Sequence, residues 1–98
     1  MNILVIGSGG REHTLVWKLS QSPLADKIYA VPGNPGMAEL AECVPGVDIE
    51  DNAAVVALAQ QKKIDLAVVG PEVPLTNGVV DALMAAGIKA FGPAKLAA

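Results

Sequence analysis

The chain has 98 residues, 52% of them apolar and 17% charged, with seven Lys+Arg against ten Asp+Glu for a net charge of −3. That length suits one domain with a core of its own, and the composition excludes intrinsic disorder, which needs low hydrophobicity and high net charge. A membrane-spanning helix needs roughly 18 consecutive apolar residues, whereas the longest apolar run is Ala53–Ala59, and three aromatics with the single adjacent basic pair Lys62–Lys63 argue against a nucleic-acid binder.

Along the chain, short β-branched runs alternate with helical patterns. Asn2–Ile6 reads as a fully apolar strand. Glu12–Gln21 reads as a helix with Leu15, Val16 and Leu19 on one face and Pro23 beyond its end. Lys27–Val31 is the second predicted strand, followed by the turn-rich loop Pro32–Gly36 and a short helical piece over Met37–Glu42. A weak strand is expected near Cys43–Val47, where Pro45 and Gly46 blur its limits. Asp51 or Asn52 caps a helix that runs to Gln61 with Val55, Val56, Leu58 and Ala59 inward. Ile64–Val69 is a strong strand, and Gly70–Pro74 is a loop. Thr76 or Asn77 caps a helix with Val79, Val80, Leu83 and Met84 that stops at Gly87. Ile88–Phe91 is the last strand, and Pro93 suits the first turn of a further helix.

The strands are continuous apolar runs, not alternating ones, which marks a parallel sheet buried on both faces. With right-handed crossovers the simplest fold is α/β, a doubly wound five-stranded parallel sheet in the order 3-2-1-4-5, Rossmann-like. Ligands of such sheets bind outside the carboxyl ends of the strands where the order reverses. The loops Gly7–Arg11 and Gly70–Pro74 should therefore face one crevice, with Pro32–Gly36 beside it.

Gly7-Ser8-Gly9-Gly10-Arg11-Glu12-His13 can turn tightly and bring backbone N–H groups close to an anion, and the helix that follows aims its positive end at the same spot. Arg11 can add a bidentate grip on phosphate oxygens. The alternative is that these glycines only make the strand-to-helix turn. A dinucleotide fingerprint fails, because Glu12 stands at the third glycine position and the second strand ends Ala30-Val31-Pro32 without an acid. A phosphate-binding loop of the Gly-Lys type fails because no such pair exists, and a nucleophile elbow fails because Ile6 precedes Ser8 by two.

Glu72, held between Pro71 and Pro74, suits the hydroxyls of a sugar, or is a solvated loop residue. Asn34 is a turn former or a ligand contact. His13, the only histidine, reads better as structural than as catalytic, Trp17 as core or interface, Cys43 as a small buried hydrophobe, and Asp51 and Asp81 as cap and solvated face. No catalytic pair, triad or metal cage is visible, so no catalytic residue and no metal ligand is assigned. A lone cysteine and an amino terminus without a basic, apolar leader make the cytoplasm the expected compartment.

The run from Ile3 to Leu19, ILVIGSGGREHTLVWKL, closely resembles the start of the phosphoribosylamine–glycine ligase (glycinamide ribonucleotide synthetase) family. The resemblance continues through Pro32-Gly33-Asn34, Val68-Val69-Gly70-Pro71-Glu72-Val73-Pro74-Leu75 and Phe91-Gly92-Pro93, and so covers essentially the whole chain. Pro35 and Val73 stand where that family usually has Ala. The resemblance implies a ligase of de novo purine synthesis that joins glycine to phosphoribosylamine through a glycyl phosphate as ATP is cleaved to ADP and phosphate. It also implies that residues 1–98 are the substrate-binding N-terminal domain alone, inactive in isolation. ATP, magnesium and glycine would be held by an ATP-grasp domain further along, and a C-terminal domain would follow. By position, Ser8, Gly9, Gly10, Arg11 and Glu12 would meet the ribosyl phosphate or its neighbourhood, Pro71 and Glu72 the ribose, and Asn34 the same pocket. Apolar surface normally covered by the other domains would then be exposed. The competing readings are a non-catalytic phosphate- or sugar-binding module, the leading domain of another ATP-grasp ligase, and an oxidoreductase.

Overall fold

The computed structural model describes residues 1–7, 9–44, 46–49, 51–69 and 78–91. The elements are β1 (Asn2–Gly7), α1 (Gly10–Ser20), β2 (Lys27–Pro32), a 3-10 turn (Met37–Glu39), β3 (Glu42–Cys43), α2 (Asn52–Gln61), β4 (Leu66–Val69), α3 (Val79–Ala85) and β5 (Lys89–Phe91). All strand pairs are parallel and the sheet order is β3-β2-β1-β4-β5, as the apolar runs predict.

Both faces of β1 are buried, and its side chains alternate between two cores. Leu4 and Ile6 join Val55, Leu58 and Ala59 of α2 and Val79 and Leu83 of α3 on one face. Ile3 and Val5 join Val16 of α1 and Met37 on the other. The helices therefore cover opposite faces, as a doubly wound sheet requires. Asp65 N–H donates to the Asn2 carbonyl (2.8 Å), and Asn2 N–H donates to Asp65 Oδ2 (2.7 Å). This pair sets the β1–β4 register, in which Ile6 lies opposite Val69.

The helix ends follow local chemistry. Asp51 Oδ1 accepts from the N–H groups of Ala53 (3.0 Å) and Ala54 (3.3 Å), so it is the cap of α2. Both α2 and α3 finish in a paired reverse bond. Lys63 N–H donates to Gln60 and Ile64 N–H to Ala59, while Gly87 N–H donates to Met84 and Ile88 N–H to Leu83. The turn residue is left-handed in both, Gly87 at φ 84° and Lys63 at φ 55°. Only the second strains a side chain.

Some expectations shift. β3 occupies Glu42–Cys43 instead of Cys43–Val47: the ladder pairs only Tyr29 with Glu42 and Ala30 with Cys43, Val44 N–H still donates to the Ala30 carbonyl (2.8 Å), and Pro32, the next donor position of β2 on that side, has no N–H to extend it. Ile64, expected at the head of β4, is spent on the end of α2. The piece after Gly36 is one 3-10 turn rather than a helix to Glu42. Trp17 is not core: it is 48% exposed, one residue and hence a quarter-turn or so beyond the buried Val16. Met84 is 52% exposed for the same reason relative to Leu83. Cys43 is half-buried. α3 begins at Val79 behind Gly78, and the caps expected at Thr76 or Asn77, the loop Gly70–Pro74 and the helix expected at Pro93 lie outside the described residues. Among the described residues no helix is long and apolar enough to cross a membrane.

Two substitutions check these ends by urea denaturation. Asp51→Ala should cost about 1 kcal/mol through the lost cap. Lys63→Gly should raise stability by a few tenths to about 1 kcal/mol, because relief of the left-handed strain outweighs the added freedom of the unfolded chain.

Candidate functional site

The parallel sheet brings the carboxyl ends of β1, β2 and β4 to one edge. Gly7 lies opposite Pro32, the last residue of β2, across the cis Val31–Pro32 peptide, and Ile6 lies opposite Val69, the last residue of β4. Gly33 N–H then donates to the Gly7 carbonyl (3.1 Å), tying the turn after β2 to the turn after β1.

At this edge α1 starts. Its N-cap is Gly9, with extended backbone (φ −85°, ψ 179°), and no side chain caps it. The helix ladder opens with His13 N–H donating to the Gly9 carbonyl (3.1 Å). The N–H groups of Gly10, Arg11 and Glu12 come before that first bond and point out of the helix end, where the dipole favours an anion. Arg11 is exposed and makes no ion pair among the described residues, so its guanidinium is available to the same ligand.

Gly7 is required here by two constraints. Its φ is +143°, outside what a side chain tolerates, and a Cβ would fall 2.5 Å from Glu12 Oε1 and 2.7 Å from Glu12 Cδ. Glu12 itself is wholly buried, the only charged residue among the buried side chains described. Neither of its carboxylate oxygens has a hydrogen-bond partner among the described residues.

Asn34 acts as the turn former: its Oδ1 accepts from Met37 N–H (2.9 Å), and its carbonyl accepts from Ala38 N–H (3.1 Å) and Cys43 Sγ (3.5 Å). His13 leans over the same turn. A Cβ on Gly36 would lie 2.6 Å from His13 Cε1 and 3.4 Å from Asn34 Oδ1, so imidazole, glycine and amide meet at one point. His13 thus packs on this turn. Beside it an open groove of about 230 Å³, lined by Gly10, His13, Thr14 and Trp17, runs along α1.

The structure therefore gathers Gly9, Gly10, Arg11, Glu12 and Asn34 around the ends of β1 and β2. Ser8, Pro71 and Glu72 lie outside the described residues. The composition of the loop did not reveal that Glu12 is buried. The signal was present in the helix period: Glu12 precedes Val16 by four and Leu19 by seven, which puts it on the core face.

Fold and site together define a doubly wound α/β domain with an anion-suited helix start at the point where its strand order reverses. The family model described as "Phosphoribosylglycinamide synthetase, N domain" matches residues 1–98, and the chain belongs to that family. It is similar to the phosphoribosylamine–glycine ligases of Agrobacterium fabrum and Mesorhizobium japonicum, each 59% identical over 98 residues. It is also similar to that of Haemophilus influenzae, 59% identical over 100 residues. All of this chain is covered in each comparison, but it spans only 23% of the length of these relatives.

Gly7→Ala should destabilise the chain by about 1–3 kcal/mol from backbone strain alone, with more from displacing Glu12, as read from a urea midpoint. Gly36→Ala should displace the His13 ring, visible as a shift of its Cε1–H resonance, with a smaller loss of stability.

Proposed function

We propose that this chain is the phosphoribosyl-binding N-terminal domain of a phosphoribosylamine–glycine ligase, the enzyme of de novo purine synthesis that joins glycine to phosphoribosylamine with cleavage of ATP to ADP and phosphate. What carries the reading is the match of the whole chain to relatives of that name, 23% of whose length it spans, combined with an uncapped helix start at the sheet's switch point. The N–H groups of Gly9, Gly10 and Arg11 and the Arg11 guanidinium would hold the phosphate. Ser8, Glu12 and Asn34 would stand beside it, and Pro71 and Glu72 would meet the ribose. A charge-assisted bond of the Arg11 kind contributes ~1.5–3 kcal/mol, enough for one acidic domain to hold a phosphate locally.

This division leaves activation of glycine to the rest of the enzyme, whose ATP-grasp domain would bind ATP, magnesium and glycine. Among the described residues no group of three or more His, Cys, Asp or Glu could hold a metal ion, and no metal-borne step is derived from them. The contribution of this domain is positional: it fixes the sugar amine where the activated glycine arrives, and such proximity is worth several kcal/mol of barrier. The cytoplasm is the compartment that goes with this reading.

Titration with glycinamide ribonucleotide, followed by amide NMR, tests it. Shifts should concentrate on Gly7–His13 and the turn at Gly33–Gly36, and Arg11→Ala should weaken binding about tenfold or more. Shifts that avoid the glycine-rich turn would refute the site. The 98-residue chain should show no glycine-dependent ATP cleavage, and turnover by it would refute the division of labour.

A further inference from the structure

The two sides of α1 differ in kind. Glu12, Val16 and Leu19 turn to the core. Gly10, His13 and Trp17 form one row on the other side, and Arg11, Thr14 and Lys18 form the row beside it, because residues three and four apart are neighbours on a helix. Trp17 is 48% exposed, and an isolated exposed apolar residue needs no explanation. Trp17 is not isolated: with Gly10, His13 and Thr14 it lines the open groove of about 230 Å³. Gly10 also belongs to the helix start that suits an anion, so whatever fills this groove lies next to the ligand. The exposed charges of α1 are both cationic, Arg11 and Lys18, in a chain of net charge −3, and Lys18 makes no ion pair among the described residues.

We propose that this groove is the docking surface for the rest of the ligase: the part of the same polypeptide that activates glycine seats an apolar side chain against Trp17 and a carboxylate beside Lys18. The inference rests on the proposed phosphoribosyl reading and says where that domain meets its partner. Three observations favour this occupant. The chain spans only 23% of the length of its relatives, so most of such an enzyme lies outside it. The groove shares Gly10 with the candidate site, and the activated glycine has to arrive there for the sugar amine to attack it. The area is the third. One side of an eleven-residue helix, about 16 Å long, offers well under the roughly 800 Å² per partner of a stable complex between separate molecules. A tethered domain needs far less, because its effective concentration at the groove is already in the millimolar range.

The test compares the full-length ligase that carries this chain with the 98-residue chain alone. Hydroxyl-radical footprinting read by mass spectrometry reports Trp17 individually. Trp17 should be oxidised several-fold more slowly in the full-length enzyme, while Leu24, which is exposed away from the groove, should be modified equally in both. Trp17→Gln should lower kcat for glycinamide ribonucleotide formation about tenfold or more, through misplacement of the two reactants. The same variant of the 98-residue chain should bind glycinamide ribonucleotide as wild type does and keep its urea midpoint, which separates docking from site integrity and from folding. Lys18→Glu should lower kcat in the same direction, less so at high salt, and decides alone should Trp17→Gln fail to fold. Equal oxidation of Trp17 in both proteins, or unchanged kcat in the folded variants, overturns the proposal and leaves the phosphoribosyl site standing. Dimers of the 98-residue chain that cover Trp17, persist in the full-length enzyme and are lost in Trp17→Gln overturn it in favour of a second copy. Failure of glycinamide ribonucleotide to shift Gly7–His13 overturns the phosphoribosyl reading, and the docking role with it.

Discussion

The parallel pairing of β1 on both edges is the constraint from which the site descends. β2 takes one edge from Asn2 through Gly7, and β4 takes the other from Ile3 through Ile6. With both faces also covered, no β1 side chain from Ile3 to Ile6 reaches solvent, and the strand has no freedom to slide: a one-residue slip would exchange the two cores. The three neighbouring strand ends must therefore finish at one edge. Whatever the chain does next at Gly7, Pro32 and Val69 happens side by side.

That rigidity is transmitted to α1 through very small spaces. The helix must start within three residues of Gly7, and its first turn must pass over the end of the strand it follows. The absence of a Cβ at Gly7 allows the approach, and the Glu12 side chain occupies the room gained. The bond from Gly33 to Gly7 and the packing of His13 on Gly36 fix the second turn against the first. The N–H groups that would grip an anion are thus set by backbone pairing and glycine contacts, which cost nothing further when a ligand arrives.

The sheet could be read from the sequence because its determinants are local. Continuous apolar runs gave the parallel order, Asp51 and Gly87 gave helix ends, and Gly7, Gly9 and Gly10 gave the tight turn from β1 into α1. What could not be read depended on partners far along the chain. β3 is short because its ladder with β2 ends after two pairs, and Ile64 leaves β4 because the end of α2 uses its N–H. Trp17 reads as core or interface by residue type, yet the helix turns it outward; Glu12 reads as a neighbour of the phosphate, yet the same turn drives it inward. Period outranks residue identity in both cases, and both residues sit on the helix that carries the candidate site.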